Sequence, residues 1–218
     1  MKKVFFYTYL LLLFISFKTF ALDKETPKNE FNILKNGSWS GEVSTQHKHD
    51  PRLELALIEF FQKKKIKTIL DLGAGKGHYT EGFIKNGFFA SCYDGNPNTQ
   101  NLSNGRCGII DLTKEINFSK YEWVLSLEVG EHLPKEFEDV LLNNLINNST
   151  HGIVLSWAIP GQGGDGHVNE QTNEYIKNKM RTLGYIDDPL SETELRNSSS
   201  LSWFKNTIMV FIPMDKKI

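Results

Sequence analysis

Ile69-Leu70-Asp71-Leu72-Gly73-Ala74-Gly75-Lys76-Gly77-His78-Tyr79-Thr80 is the stretch that decides how this 218-residue chain folds. An apolar run over 68–72 meets three closely spaced glycines, and a helical pattern starts at Thr80. The stretch reads as strand, glycine-rich turn and helix. Glycine has no Cβ, so a turn built from it takes up left-handed backbone conformations and lets a ligand come close to the main chain. The dinucleotide fingerprint G-x-G-x-x-G needs its third glycine at position 78. That residue is His78, and the last glycine falls one position early, at Gly77. The spacing argues against a nicotinamide cofactor and therefore against an NAD-dependent oxidoreductase.

Downstream of the turn, apolar runs over 88–93, 108–112, 123–127, 152–158 and 207–212 alternate with helical patterns over 80–86, 134–147 and 169–183, the last capped by Asn169. Short apolar strands alternating with helices indicate an α/β fold with a mostly parallel sheet. Ligands of such folds bind at the carboxyl ends of the strands, where strand order reverses. Upstream, Leu53, Leu57, Ile58 and Phe61 recur at helical spacing over 51–65, behind a proline suited to a first turn. Residues 22–50 are polar, with Gly37, Gly41 and many Ser and Thr, and read as a loosely structured arm rather than a second domain. Trp39 stands out in it, and the arm alternatively folds over the ligand with Trp39 as anchor. The main domain is then 51–218.

Asp71, one further residue and then Gly73, Gly75 and Gly77 make a pattern that resembles motif I of the class I S-adenosylmethionine-dependent methyltransferases. Three more stations follow in that family's order. Asp94 ends the second strand, Asp111-Leu112 ends the third, and the fourth runs into Leu127-Glu128-Val129-Gly130-Glu131-His132-Leu133-Pro134, similar to the family's L-E-V-x-E-H-x-P segment. The resemblance is strong over 69–134. It implies a Rossmann-like methyltransferase fold, a mostly parallel seven-stranded sheet with helices on both faces, and S-adenosyl-L-methionine as cofactor. The cofactor's methionine part and ribose would lie against Asp71, Gly73, Ala74, Gly75 and Gly77, with Asp71 serving the cationic amino group indirectly or through water. Asp94, beside Gly95, would accept hydrogen bonds from the ribose hydroxyls. Asp111 would receive the adenine amine and Leu112 would cover the ring, with Glu128 completing the set.

The fifth strand is followed by a loop rich in glycine and hydrogen-bonding side chains, 156–171, which the topology puts on the rim of the cofactor site. It is expected to bind the methyl acceptor, an unidentified small molecule or exposed side chain methylated on an O or N atom. Methyl transfer from a sulfonium is an in-line displacement, so much of the rate comes from holding donor and acceptor in line. A base is needed only when the acceptor arrives protonated. His132 and His167 are the candidates, because imidazole titrates near neutrality, with Glu131 as a helper. Leu195-Arg196 and Trp203-Phe204 either line the acceptor pocket or pack in the core. A non-catalytic module that binds the cofactor without turnover is the alternative to an enzyme.

A formal net charge of -1 gives no basic field for a nucleic-acid backbone, so no nucleic-acid partner is expected. His47-Lys48-His49-Asp50 lacks further His or Cys spacing, and no metal is expected. Lys2 and Lys3, an apolar run over 4–17 and Thr19-Phe20-Ala21 have the layout of a secretory signal peptide. The run is shorter than the ~20 residues of a membrane span, which favours cleavage after Ala21 over a retained anchor. The two lysines favour a cytosolic N-terminus, so translocation would put the domain outside. An exported or lumenal location conflicts with a cofactor made in the cytosol. Export would permit a disulfide between Cys92 and Cys107, and two small buried thiols is the other reading. The sequons at Asn36, Asn101, Asn117, Asn147, Asn148 and Asn197 matter only in a eukaryotic secretory route.

Overall fold

The computed structural model describes residues 31–41 and 47–214. The signal-peptide segment 1–21 and the first part of the arm lie outside the described residues. What is described of the arm is ordered: β1 (Asn32–Ile33) and β2 (Trp39–Ser40) pair antiparallel as a short hairpin. Helix α1 (Pro51–Lys63) follows, with Asp50 as N-cap and Pro51 in the first turn, and it buries Leu53, Leu57, Ile58 and Phe61 as the helical spacing predicts. Then come β3 (Thr68–Leu72), α2 (His78–Lys85), β4 (Phe89–Asp94), α3 (Thr99–Leu102), β5 (Gly108–Ile109) and β6 (Tyr121–Leu127). The chain continues through α4 (Glu138–Asn147), β7 (Ser149–Ser156), α5 (Asn173–Thr182), β8 (Tyr185–Asp187), α6 (Pro189–Ser198), α7 (Phe204–Thr207) and β9 (Met209–Pro213).

Strands β3 to β9 form one sheet of seven in the order β5-β4-β3-β6-β7-β9-β8. β5, β4, β3, β6 and β7 are mutually parallel, and β9 runs antiparallel between β7 and β8. The sheet is sandwiched because its strands alternate between two cores. Leu70, Val124, Ile153, Leu155, Met209 and Phe211 face one core with Leu141, Leu145, Ile176 and Met180 of α4 and α5. Ile69, Trp123, Leu125, Val154 and Val210 face the other, with apolar residues of α1, α2, α6 and α7. Side chains that alternate across each strand while both faces stay apolar are what a doubly covered parallel sheet requires. Among the described residues no helix is long and apolar enough to cross a membrane.

The structure corrects several expected boundaries. The helix expected over 134–147 begins at Glu138, because Pro134 is extended (φ -52°, ψ 142°) and the chain before it makes only short 3-10 turns at Gly130–His132 and Lys135–Phe137. The helix expected from Asn169 starts at Asn173 with Thr172 as its cap. Asn169 is buried instead, donating to Glu138 Oε2 (3.1 Å) and accepting from Trp157 Nε1 (2.7 Å). The strand expected over 108–112 pairs only at Gly108–Ile109. Cys92 and Cys107 form a disulfide that ties β4 to the start of β5.

Candidate active site

The chain leaves β3 towards β4 and β5 on one side, and returns through β6 and β7 on the other, so strand order reverses between β3 and β6. The crevice beyond their carboxyl ends opens into a cavity of about 590 Å³, within the ~300–1,000 Å³ of small-molecule sites. Its floor is the glycine turn. The Gly73 and Ala74 amides donate to Tyr93 O (2.8 and 3.1 Å), and the Gly75 amide donates to Asp94 Oδ2 (2.8 Å). Asp94 Oδ1 accepts from Asn96 N (2.8 Å). Gly77 ends the turn as the N-cap of α2 with φ +68°, where a Cβ would stand 2.5 Å from Cys107 Sγ. Both the backbone and the disulfide therefore exclude a side chain there. Asp71 is buried against the Thr80 hydroxyl (2.8 Å). Burial, helped by the charge of Asp94, pushes its carboxyl up to about 7.

The arm roofs this floor. Trp39 stacks on the His47 ring (5.0 Å between centroids, 12° between planes) and meets His132 edge-on (5.1 Å). Ser38 rests over Gly95 and His47 over Gly75. Gly37 comes closest, with φ +85°: a Cβ there would lie 2.1 Å from the carbonyl oxygen of His132. Asn36 hydrogen-bonds the carboxylate of Asp111. Among the described residues, Trp39 Nε1 and His47 Nδ1 are buried without a partner.

The far wall comes from the end of β6 and the loop after β7. Glu128 has a left-handed backbone (φ +54°), a cost of about 1–3 kcal/mol for a residue with a side chain. It is held by its amide donating to Ser156 Oγ (2.9 Å), by Gln162 Nε2 (2.5 Å) and by Thr207 Oγ1 (3.2 Å). Burial pushes its carboxyl upward. Glu131 is fully buried, and among the described residues neither carboxylate oxygen has a hydrogen-bond partner of good geometry. Burial and then the charge of Glu128 push it well above the usual carboxylate range, although the Glu131 and Ala158 amides lie near enough to oppose this. Burial, reinforced by His167, pulls the His132 imidazole down to about 4, and its Nδ1 is also without a partner. His167 packs edge-on to His132 (4.8 Å) and bonds Glu170 Oε1 through Nδ1 (2.9 Å). Glu170 in turn accepts from the Gly161 and Gly163 amides, both at 2.7 Å, which fastens the loop.

No protein-family model matches the sequence. The chain is 31% identical over 121 residues to the ubiquinone biosynthesis O-methyltransferase of Hydrogenovibrio crunogenus, a match that covers 49% of each. It thus spans about half the length of the curated relative it matches. The structure superposes on a magnesium protoporphyrin IX methyltransferase from Synechocystis PCC 6803 with bound SAH, at TM-score 0.57 and 13% identity, covering 73% of this chain and 81% of that one. It also superposes on the 1,6-didemethyltoxoflavin-N1-methyltransferase of Burkholderia thailandensis, bound to 1,6-didemethyltoxoflavin and S-adenosylhomocysteine, at TM-score 0.53 and 13% identity over 76% and 79% of the two chains. The chain has the fold of these methyltransferases. An amino pentose methyltransferase from Micromonospora echinaspora shares that fold at TM-score 0.56 and 12% identity, covering 73% of this chain and 89% of its own.

Within this methyltransferase fold, the structure brings most of the sequence-identified residues to one cavity. Asp71, Gly73, Ala74, Gly75, Asp94, Gly95, Leu112, Glu128, His132 and His167 line it. Three do not. Gly77 caps α2 beneath the turn, Asp111 is turned onto Thr113 N (3.0 Å) and Oγ1 (2.7 Å) as well as Asn36, and Glu131 lies buried behind the wall. Trp203 and Phe204 line the cavity, whereas Leu195 is core and Arg196 donates to Ile208 O (2.7 Å). His47 and His49 both line the cavity, His49 also pairing with Glu54 (2.6 Å), while Asp50 caps α1. Sequence reasoning missed Asn36 and Tyr79 as lining residues and placed Gln162 only as part of the 156–171 loop. Only Gln162 carried a signal, as a polar side chain inside the glycine-rich loop.

Proposed function

We propose that this chain is an S-adenosylmethionine-dependent methyltransferase acting on an O or N atom of a small-molecule acceptor. The observation that carries the reading is the juxtaposition of the glycine turn, Asp71 and Asp94 at one end of the cavity with Glu128, His132 and His167 at the other. The residues suit the cofactor. A cationic ligand meets two carboxylates, Asp71 is buried with a raised proton affinity that a positive charge relieves, and the unpartnered His47 Nδ1 and Trp39 Nε1 offer polar atoms from the roof. Asp71, the 73–75 backbone, Asp94 and Leu112 would hold it. When bound, the cofactor supplies an electrophilic methyl on a sulfonium, which the acceptor displaces to leave S-adenosylhomocysteine.

The chain's own work is to hold, orient and exclude water. The arm covers the turn through Trp39 and His47, and the 161–170 loop closes the acceptor end through Glu170. An acceptor hydroxyl or ammonium must shed one proton around the transfer, and His132, His167 and Glu131 are the groups at that end. Support for a small acceptor comes from the cavity's volume of about 590 Å³ and from the small-molecule methyltransferases that share the fold.

The test is calorimetric titration with S-adenosylhomocysteine, followed by transfer of labelled methyl to a panel of hydroxyl and amine acceptors. Binding is expected in wild type and weakened roughly 100- to 1000-fold in Asp94→Ala, since two hydrogen bonds to a carboxylate contribute about 3–4 kcal/mol together. Wild type that does not bind defeats the proposal, and binding with no transfer to any acceptor supports the non-catalytic alternative. We further propose that the protein is exported. The leader-like segment 1–21 supports this, as does the Cys92–Cys107 disulfide, because such bonds persist in oxidising compartments. A cytosolic mature chain that retains residues 1–21 would overturn it.

A further inference from the structure

We infer that Glu131, His132 and His167 bind a divalent transition-metal cation that holds the acceptor's oxygen, which narrows the acceptor to a hydroxyl compound. This rests on the methyltransferase reading above. Candidate ligand atoms from the three side chains lie within 4.8 Å of one another. Cis or tetrahedral ligands at about 2.0–2.2 Å from a cation stand roughly 3.0–3.6 Å apart, so side-chain adjustments of about an ångström complete the set.

Two members of the set carry buried polar atoms that nothing else among the described residues satisfies. Glu131 is 0% exposed and neither oxygen has a partner of good geometry among the described residues. A carboxylate buried in this way is costly unless a positive charge or metal meets it. His132 Nδ1 is likewise buried and unpartnered, while the Gly166 and Asp165 backbone hydrogen-bonds the ring. His167 gives its Nδ1 to Glu170, leaving Nε2 for a ligand bond. That carboxylate–histidine pairing is the usual outer support of a metal-bound imidazole, and Glu170 is itself tied to two loop amides. The ring stands directly over Gly164, where a Cβ would fall 2.2 Å from Nε2.

Two imidazoles and one carboxylate favour a borderline cation such as Mn(II), Fe(II), Co(II) or Zn(II) over Mg(II) or Ca(II), and leave positions open for a substrate oxygen. His132 and His167 both border the cavity, so those positions face the acceptor. Coordination lowers the hydroxyl's pKa. The proton passes to water, the metal-bound oxygen attacks the methyl carbon, and the carbon–sulfur bond breaks with its electron pair remaining on sulfur. No metal-ligand spacing is visible along the chain because the two contributing segments, 131–132 and 167, lie far apart and meet only through the β7 crossover.

The test uses the full mature chain stripped with chelator and titrated separately with MnCl2, CoCl2 and ZnCl2. About one equivalent is expected to bind, with a visible Co(II) ligand-field band. His167→Ala and the near-isosteric Glu131→Gln should each weaken binding by 10-fold or more and lose the band, while S-adenosylhomocysteine affinity stays within about threefold of wild type. Gly164→Ala, which displaces the His167 ring without removing it, should also weaken the metal. Failure to bind any of the three metals, in protein that still binds S-adenosylhomocysteine, overturns the metal site and leaves the methyltransferase reading standing. Equal metal binding by wild type and both ligand variants overturns it too. Metal binding that follows the ligand variants in protein unable to bind S-adenosylhomocysteine supports the site and defeats the reading it rests on.

Discussion

Replacing Asp50 with alanine should lower stability more than any single change on the exposed surface. Asp50 is fully buried and its carboxylate serves two elements that are 150 residues apart. Oδ1 accepts from the Arg52 and Leu53 amides at the start of α1 (3.0 and 3.1 Å) and from Ser200 Oγ (2.7 Å). Oδ2 accepts from the Ser200 and Leu201 amides (2.7 and 2.9 Å). Losing the helix cap costs about 1 kcal/mol. The three bonds to the 200–201 turn add about 2 kcal/mol, a value kept low because Ser200 is exposed and water replaces part of what it loses. The total of about 3 kcal/mol should lower the melting temperature by roughly 6–12 °C in a domain of this size. Burial alone would raise the Asp50 pKa, but the hydrogen bonds from Leu201, Ser200 and Leu53 outweigh it and hold the carboxyl below its ordinary value. A depressed acid stabilises the fold above its unfolded pKa, and loses that contribution as pH falls through the folded value. The gap between wild type and Asp50→Ala should therefore be full at pH 7 and shrink below about pH 4. Asp50→Asn should recover only the cap, since its amide N–H groups would face the donors of Ser200 and Leu201. Thermal and urea melts at pH 7 and pH 3.5 measure all of this. An Asp50→Ala midpoint within 2 °C of wild type at pH 7 would refute the reasoning.

Asp71 has its pKa raised to about 7, so its ionisation destabilises the fold as pH rises from its unfolded value through about 7. A cationic cofactor should draw it into the ionised state, so binding of S-adenosylmethionine at pH 6 should release a proton. Calorimetry in two buffers of different ionisation enthalpy detects this, and Asp71→Asn should abolish it. Gly37→Ala, with its Cβ set 2.1 Å from the His132 carbonyl, should displace the arm and weaken S-adenosylhomocysteine about 10-fold while moving the melting temperature by less than about 3 °C. Unchanged affinity would mean that the arm is not the roof of the working site. Paired replacement of Cys92 and Cys107 by alanine should cost about 3 kcal/mol, the value for closing a loop of about 15 residues. A double variant as stable as oxidised wild type would show that the bond contributes nothing.

The sheet was legible because its determinants are local. Thr68–Leu72 is bounded by a glycine turn, and the later strands carry continuous apolar runs of the length a doubly covered strand needs. The elements that escaped notice have weak local signals. β8 is three residues long, and α6 is largely polar, burying only Ser191, Glu192 and Leu195. The Asn169 boundary failed for a different reason. Asn is a good cap by type, but its amide was drawn into a long-range contact with Glu138, and Thr172 stood ready to take the role. Of the two readings of the arm, only Trp39 pointed to the one its described residues follow, because nothing in its composition shows that Gly37, Gly75 and Gly95 leave room for it against the domain. Complementarity of that kind exists only between segments already folded.

Most of the chain obeys local rules: strands alternate between two cores, and α1, α5 and α6 carry side-chain caps. Departures occur elsewhere too, at Lys65, Asn104 and Trp123 for example, but three adjoin one another beside the cavity. Glu128 holds a left-handed backbone, Glu131 buries a carboxylate with no well-formed hydrogen bond among the described residues, and His132 buries a ring nitrogen in the same condition. Each departure costs free energy that a glycine, a leucine or a phenylalanine would avoid. Surface strain could be relieved one residue at a time, but these three sit within five positions at the carboxyl end of β6, beside the point where strand order reverses. A fold already supplied with two full apolar cores has no structural need for such a cluster. A ligand that enters the cavity and meets those groups would offset the cost, which points to chemistry at this end independently of the glycine turn at the other.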